Sequence, residues 1–210
     1  MSRRQVRGSQ KISKSRGRRS ENKKVLIVTE GVKTEPQYFE GLASHLNAQA
    51  VHVISVRPIG TGRDPLSVVR EADRRRRREE QDGDAFDSVW CVVDVDTHAT
   101  LPAACELASR HSLYIAVSSP CFEIWLLWHF EEHRAWVTAQ ALADKLKKHG
   151  ISGKKLPSNF PYTKYPEAQA RAKKCETICV NHAPPNPSSS VSELVAELEH
   201  SCKMKGHEKL

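Results

Sequence analysis

The sequence contains no apolar run of the roughly 18 residues a membrane-spanning helix needs, so no membrane span is expected. Arg3 and Arg4 are not followed by an apolar stretch, which argues against a secretory signal. No Cys-x-x-Cys pair occurs; the six cysteines stand apart at positions 91, 105, 121, 175, 179 and 202. Reduced, mostly buried thiols in a cytoplasmic protein are therefore expected. Cys175, Cys179 and His182 loosely suggest a metal cluster, but a fourth ligand is not evident. The glycines of PIGTGRDP, residues 58–65, sit in neither a GK[ST] nor a GxGxxG pattern, and a plain surface loop is the simpler reading. Acidic residues are scarce at the start. Residues 1–24 hold ten of the 33 Lys/Arg but one of the 25 Asp/Glu, so the rest of the chain carries a net charge of −1 out of the total +8.

Residues 1–22 thus read as a disordered basic tail. Its Arg3, Arg4, Arg18 and Arg19 are candidates for sequence-independent contact with nucleic acid. A solvated leader is the alternative. The whole chain, 210 residues at 39% apolar content, allows one domain with appendages. Apolar, mostly β-branched runs at residues 24–29, 51–56, 88–94 and 113–117 read as buried strands. Helical spacing follows each. The first helix starts at Thr34 as N-cap and runs to about Leu46; the second starts at Asp64 and Pro65. The third begins near Leu101, and an apolar helix over residues 121–130 follows a break at Ser118, Ser119 and Pro120. Alternation of this kind gives an α/β fold: an open, mainly parallel sheet with helices on both faces, here over residues 23–130. Residues 131–210 read as a C-terminal helical extension packed on it, with helices at 138–149, 166–179 and 191–200, and APPNPSSS (183–190) as a linker or cap.

The informative stretch is KVLIVTEGVKTE, residues 24–35. Glu30 ends the first strand, next to a glycine that lets a ligand approach the backbone. Asp94 and Asp96 end the third strand and share a face if the strand continues. If the strands are neighbours, three carboxylates meet at the rim where open α/β sheets place their ligands. Such a cluster is costly without a cation, and hard oxygen ligands favour Mg²⁺ or Mn²⁺. Glu123 points to the same rim and either joins a metal site or favours its helix start. Lys33 either neutralises a phosphate or is solvated. His98 either acts as general acid or is a surface histidine. Lys154, Lys155 and Lys164 interleave with Tyr162 and Tyr165, a pattern that suits single-stranded nucleic acid as well as a plain loop. Arg74 to Arg78 are flanked by acids, so nucleic-acid contact and a self-paired helix end are both open. Trp125 and Trp128 fit a core better than a stacking platform.

The Glu and the Asp-x-Asp on two strand ends resemble the Toprim domain of topoisomerases, primases and overcoming-lysogenization-defect nucleases. More specifically, VTEGVKTEPQYFEGL, VWCVVDVDTH, SSPCFEIWLLWHF and NPSSSV followed by LVAEL resemble, in order, the RloB-like (abortive-infection AbiLii-like) bacterial family. The resemblance implies metal ligation by Glu30, Asp94 and Asp96, and phosphodiester hydrolysis of DNA or RNA. It further implies a role in phage defence beside an ATPase partner. A receiver-like phospho-acceptor domain, with acids after the first and third strands and Ser118 or Ser119 as the hydroxyl residue after the fourth, and a non-catalytic sensor or scaffold subunit, are the rival expectations. The sequence is silent on oligomeric state.

Overall fold

The computed structural model describes residues 23–56, 64–95, 100–175 and 185–203. Four parallel strands, β1 (Val25–Thr29), β2 (Val51–Ser55), β3 (Ser88–Asp94) and β4 (Tyr114–Ser119), form an open sheet with a short antiparallel strand, β5 (Ser188–Ser189). The spatial order is β2-β1-β3-β4-β5. The helices in chain order are α1 (Thr34–Leu46), α2 (Pro65–Gln81), α3 (Leu101–Arg110), α4 (Glu123–Leu127), α5 (Ala139–Lys147), α6 (Tyr165–Ala172) and α7 (Val191–Lys203).

Both sheet faces are covered, which is why the strands are apolar throughout rather than alternating. Val25, Ile27, Trp90, Val92 and Ala116 point to one face, under α1 and the C-terminal helices. Leu26, Val28, Cys91, Val93 and Ile115 point to the other, under α2 and α3. Two-residue periodicity thus divides each strand between two cores. Trp125 and Trp128 are fully buried in the first core, so they stack on no nucleic acid.

Direction of travel explains where a site can form. The chain leaves β1 for β2 on one side, then crosses back over β1 to β3 on the other. The sheet order therefore reverses between β1 and β3, and the loops leaving their carboxyl ends diverge there and open a crevice. β1 and β3 pair directly, with Thr29 opposite Val92, and the Glu30 N–H continues the ladder to the Val92 carbonyl at 3.0 Å.

Several local expectations change. Asp64 does cap α2, accepting from the N–H groups of Leu66 and Ser67. Thr34, however, is the first residue of α1 rather than its cap, and its hydroxyl donates to the Lys154 carbonyl at 3.2 Å. Ser118 and Ser119 extend β4 instead of breaking it. They pair with Ser189 and Ser188 of β5, inside the segment expected to be a linker or cap. Both are buried, and the Ser118 and Ser189 hydroxyls hydrogen-bond at 2.8 Å. The accessible hydroxyl that a receiver-like site would place after the fourth strand is thereby disfavoured: both serines are buried, and the Ser118 hydroxyl is committed to Ser189. The apolar helix expected over residues 121–130 shortens to α4, and α6 ends at Ala172.

Candidate acidic site at the sheet switch point

The carboxyl ends of β1 and β3 open into a cavity of about 200 Å³. Four carboxylates line it: Glu30 after β1, Glu35 in the first turn of α1, Asp94 closing β3 and Glu123 opening α4. Lys33 and Lys154 complete the wall.

Each acid reaches the cavity for a local reason. Glu30 follows the last β1 residue, and its carboxylate accepts from the Asp94 N–H at 3.5 Å, tying the two strand ends together. The backbone turns from β1 into α1 within four residues, which returns the first helical turn to the same rim. Gly31 makes room for this turn: a Cβ there would lie 1.9 Å from a Glu35 carboxylate oxygen. Glu35 thus folds back over the glycine, where the Gly31 N–H also hydrogen-bonds it.

The electrostatics follow from the crowding. Asp94 is pushed well above the ordinary carboxylate range, first by burial and then by Glu35, Glu123 and Glu30; the Phe122 N–H partly offsets this. Glu35 is raised too, first by burial and then by Glu123 and Glu30. The Cys121 thiol beside them is raised by burial and by the charges of Glu123 and Asp94. Acids that share a cavity and desolvate one another hold protons or attract a cation.

The structure brings Glu30, Lys33, Asp94, Glu123 and Lys154 together and separates other candidates from them. Lys155 and Lys164 are exposed and do not line the cavity. Tyr162 and Tyr165 are not free platforms either: the Tyr162 hydroxyl donates to the Gln37 carbonyl, and its ring packs on Tyr38 and Phe160. The Tyr165 ring meets His45. Arg74 to Arg77 pair with Glu71, Asp73 and Glu80 along α2, favouring the self-paired reading of that run. Asp96, His98, the tail arginines Arg3, Arg4, Arg18 and Arg19, and Cys179 and His182 lie outside the described residues. Glu35 is the acid that pattern reading passed over as a site residue. Its signal is a second glutamate five positions after Glu30, with a glycine between them and a helix starting at once.

Carboxylate oxygens are the right donors for a hard divalent ion. Among the described residues, however, no three of His, Cys, Asp and Glu stand where they already hold a metal ion. A second cavity, of about 270 Å³ between Arg134, Lys174 and Asn186, has no such acid cluster, and Glu132 pairs with both of its cations. No described helix is long and apolar enough to cross a membrane.

No curated protein and no solved structure matches this sequence. A family model does: the one described as RloB-like protein matches residues 25–198, which covers the whole sheet, all four acids of the cavity and α7 as far as Leu198. The chain belongs to the RloB-like family.

Proposed function

We propose that this protein is a divalent-metal-dependent, Toprim-type nuclease of a bacterial phage-defence or abortive-infection system, working beside an ATPase partner. The observation that carries the chemical half is the convergence of Glu30, Glu35, Asp94 and Glu123 on one cavity, with Asp94 and Glu35 both raised by burial and like charge. The defence setting and the ATPase rest on the motif resemblance.

Glu30 and Asp94 would hold Mg²⁺ or Mn²⁺, with Asp96 next along the chain and Glu35 and Glu123 completing the oxygen donors. The ion, when bound, supplies an activated water and charge stabilisation at the phosphate. Among the described residues these acids do not already form a coordination shell, so binding would rearrange the carboxylates. Lys33, exposed on the wall, would offset negative charge on the scissile phosphate. His98, four residues beyond Asp94, would donate the proton that the leaving oxygen needs.

The same arrangement supports a second reading, a sensor or scaffold subunit that binds no catalytic metal. A cleavage assay separates the two. Supercoiled DNA, single-stranded DNA and RNA are incubated with Mn²⁺, with and without a candidate ATPase partner. Cleavage abolished in Glu30→Gln supports the nuclease. Intact substrate in every arm, together with no Mn²⁺ uptake by calorimetry, supports the scaffold.

A further inference from the structure

Lys154, which lines the acidic cavity, comes from a strap, residues 150–162, that begins 120 positions beyond Glu30 in the chain. Its shape is set by two glycines in the left-handed region, Gly150 at φ +77° and Gly153 at φ +72°. A side chain at either position is strained whatever space surrounds it. Ile151, Leu156 and Phe160 are buried and pin the strap to the core, while residues 152–155 between them are exposed. Phe160 packs against Tyr38 of α1, with ring centroids 5.8 Å apart.

Three hydrogen bonds then clasp the strap to the start of α1. The Thr34 hydroxyl donates to the Lys154 carbonyl at 3.2 Å. The Leu156 N–H donates to the Gln37 side-chain oxygen at 3.0 Å. The Tyr162 hydroxyl donates to the Gln37 carbonyl at 3.2 Å. Gln37 therefore holds the strap at two points that follow the exposed stretch, Leu156 and Tyr162. The clasp fixes the strap backbone at Lys154, directly beside the turn that carries Glu30 and Glu35. Among the described residues the Lys154 ammonium has no ion-pair partner, although four carboxylates line the same cavity. A lysine held at an anionic mouth, yet paired with none of its acids, is placed to meet an incoming anion.

The geometry points to Lys154 as the residue that captures the substrate's phosphodiester backbone at the acidic site, with Gln37 and Thr34 as the residues that position it. This rests on the phosphodiester reading of the site. The ligand chemistry is a phosphate of a nucleic-acid strand flanking the one that reaches the acids. Such a contact carries no base information and depends on salt.

Fluorescence anisotropy of labelled single-stranded DNA and RNA oligonucleotides of one sequence, with Ca²⁺ present and salt varied, tests this. Mn²⁺ calorimetry and thermal midpoints run in parallel on every variant. Lys154→Ala should weaken oligonucleotide binding about two- to fivefold, as loss of one exposed charge contact does. It should lower the slope of log affinity against log salt by about 0.7, the single-strand value for one phosphate. Lys154→Arg should restore the slope. Gln37→Ala should reproduce a smaller part of the loss at an unchanged thermal midpoint, and Gln37→Glu, which keeps the acceptor, should recover it. A lysine that only balances the acids would instead change Mn²⁺ affinity and leave the salt slope alone; that result overturns the proposal, as does equal oligonucleotide affinity in Lys154→Ala and wild type. In both cases wild-type Mn²⁺ binding leaves the nuclease reading standing. A wild type that takes up neither Mn²⁺ nor oligonucleotide overturns both together.

Discussion

Two regions of this molecule are dense in charge, and they treat it in opposite ways. Along α2 acids pair with bases one helical turn away, Glu71 with Arg74 and Arg75, Asp73 with Arg76 and Arg77, and Glu80 with Arg76, while His111 at the end of α3 also reaches Asp73. Glu71 is accordingly held below its ordinary range, chiefly by Arg74. Asp73 is held low as well: burial opposes this, but His111, Arg76 and Arg77 outweigh it. At the rim of β1 and β3, acids face acids, and Asp94 and Glu35 are raised. Spacing at i,i+3 and i,i+4 lets a helix neutralise itself. Acids that come from four separate elements have no such arrangement, and they hold protons or attract a cation instead. A run of five arginines is thus the more conspicuous sequence feature and the less informative one.

The contrast can be broken most sharply at Asp94. Asp94→Asn should reduce Mn²⁺ affinity by on the order of 10²-fold, read by calorimetry, because a buried ligand is lost. Without metal the same variant should be as stable as wild type or more so, by about 1 kcal/mol in denaturant melts, since one repelling charge is gone. A destabilised Asp94→Asn with normal Mn²⁺ affinity would contradict the assignment.

Gly31→Ala should come next. Its Cβ would stand 1.9 Å from the Glu35 carboxylate, so that side chain must swing away. About a tenfold loss of Mn²⁺ affinity with a small change in thermal midpoint is expected. Full affinity would mean that Glu35 stands outside the donor set.

Acid–base behaviour sharpens the comparison further, because the two regions pull stability in opposite directions. Raised groups bind protons more tightly folded than unfolded. Asp94 and Glu35 should therefore make the metal-free protein lose stability as pH rises from the ordinary carboxylate range through their elevated folded values. Lowered groups do the reverse. Asp73 and Glu71 contribute stability above their unfolded values, near pH 4, that is lost as pH falls through their folded ones. Denaturant melts from pH 3 to 8 on wild type and Asp94→Asn check this. The variant should lack much of the decline at higher pH and keep the decline at low pH.

The smallest effect is expected on α2. Arg76 bridges Asp73 and Glu80 at 3.0 Å each. Arg76→Ala should cost no more than about 1 kcal/mol, and less in high salt. Mn²⁺ uptake should be unchanged.

How far the sequence reveals this arrangement depends on the range of the interactions involved. β3 is legible to the residue, because Ser88 to Asp94 is a run that only a strand buried on both faces accommodates. The neighbouring placement of Glu30 and Asp94 is legible as a consequence of strand order in open sheets. β5 is hidden: Ser188 and Ser189 look like linker, and only their pairing with Ser118 and Ser119, seventy residues away, makes them a strand. Thr34 looks like a cap because local pattern cannot show the Lys154 carbonyl waiting for its hydroxyl. Tyr162 and Tyr165 look like stacking platforms because their packing partners lie in a distant helix. Glu35 lies between these cases, visible in the spacing but weighty only once Gly31 is seen to admit it.

The central claim, that the acids of β1, α1, β3 and α4 form a divalent-cation site, is tested most directly by anomalous diffraction from a crystal soaked in Mn²⁺. The account predicts a manganese peak between the carboxylates of Glu30 and Asp94, about 2.2 Å from their oxygens. Glu35 and Glu123 should be drawn toward it relative to the metal-free crystal. A soaked crystal with manganese bound only elsewhere, and with the acids of this cavity unmoved, would contradict it.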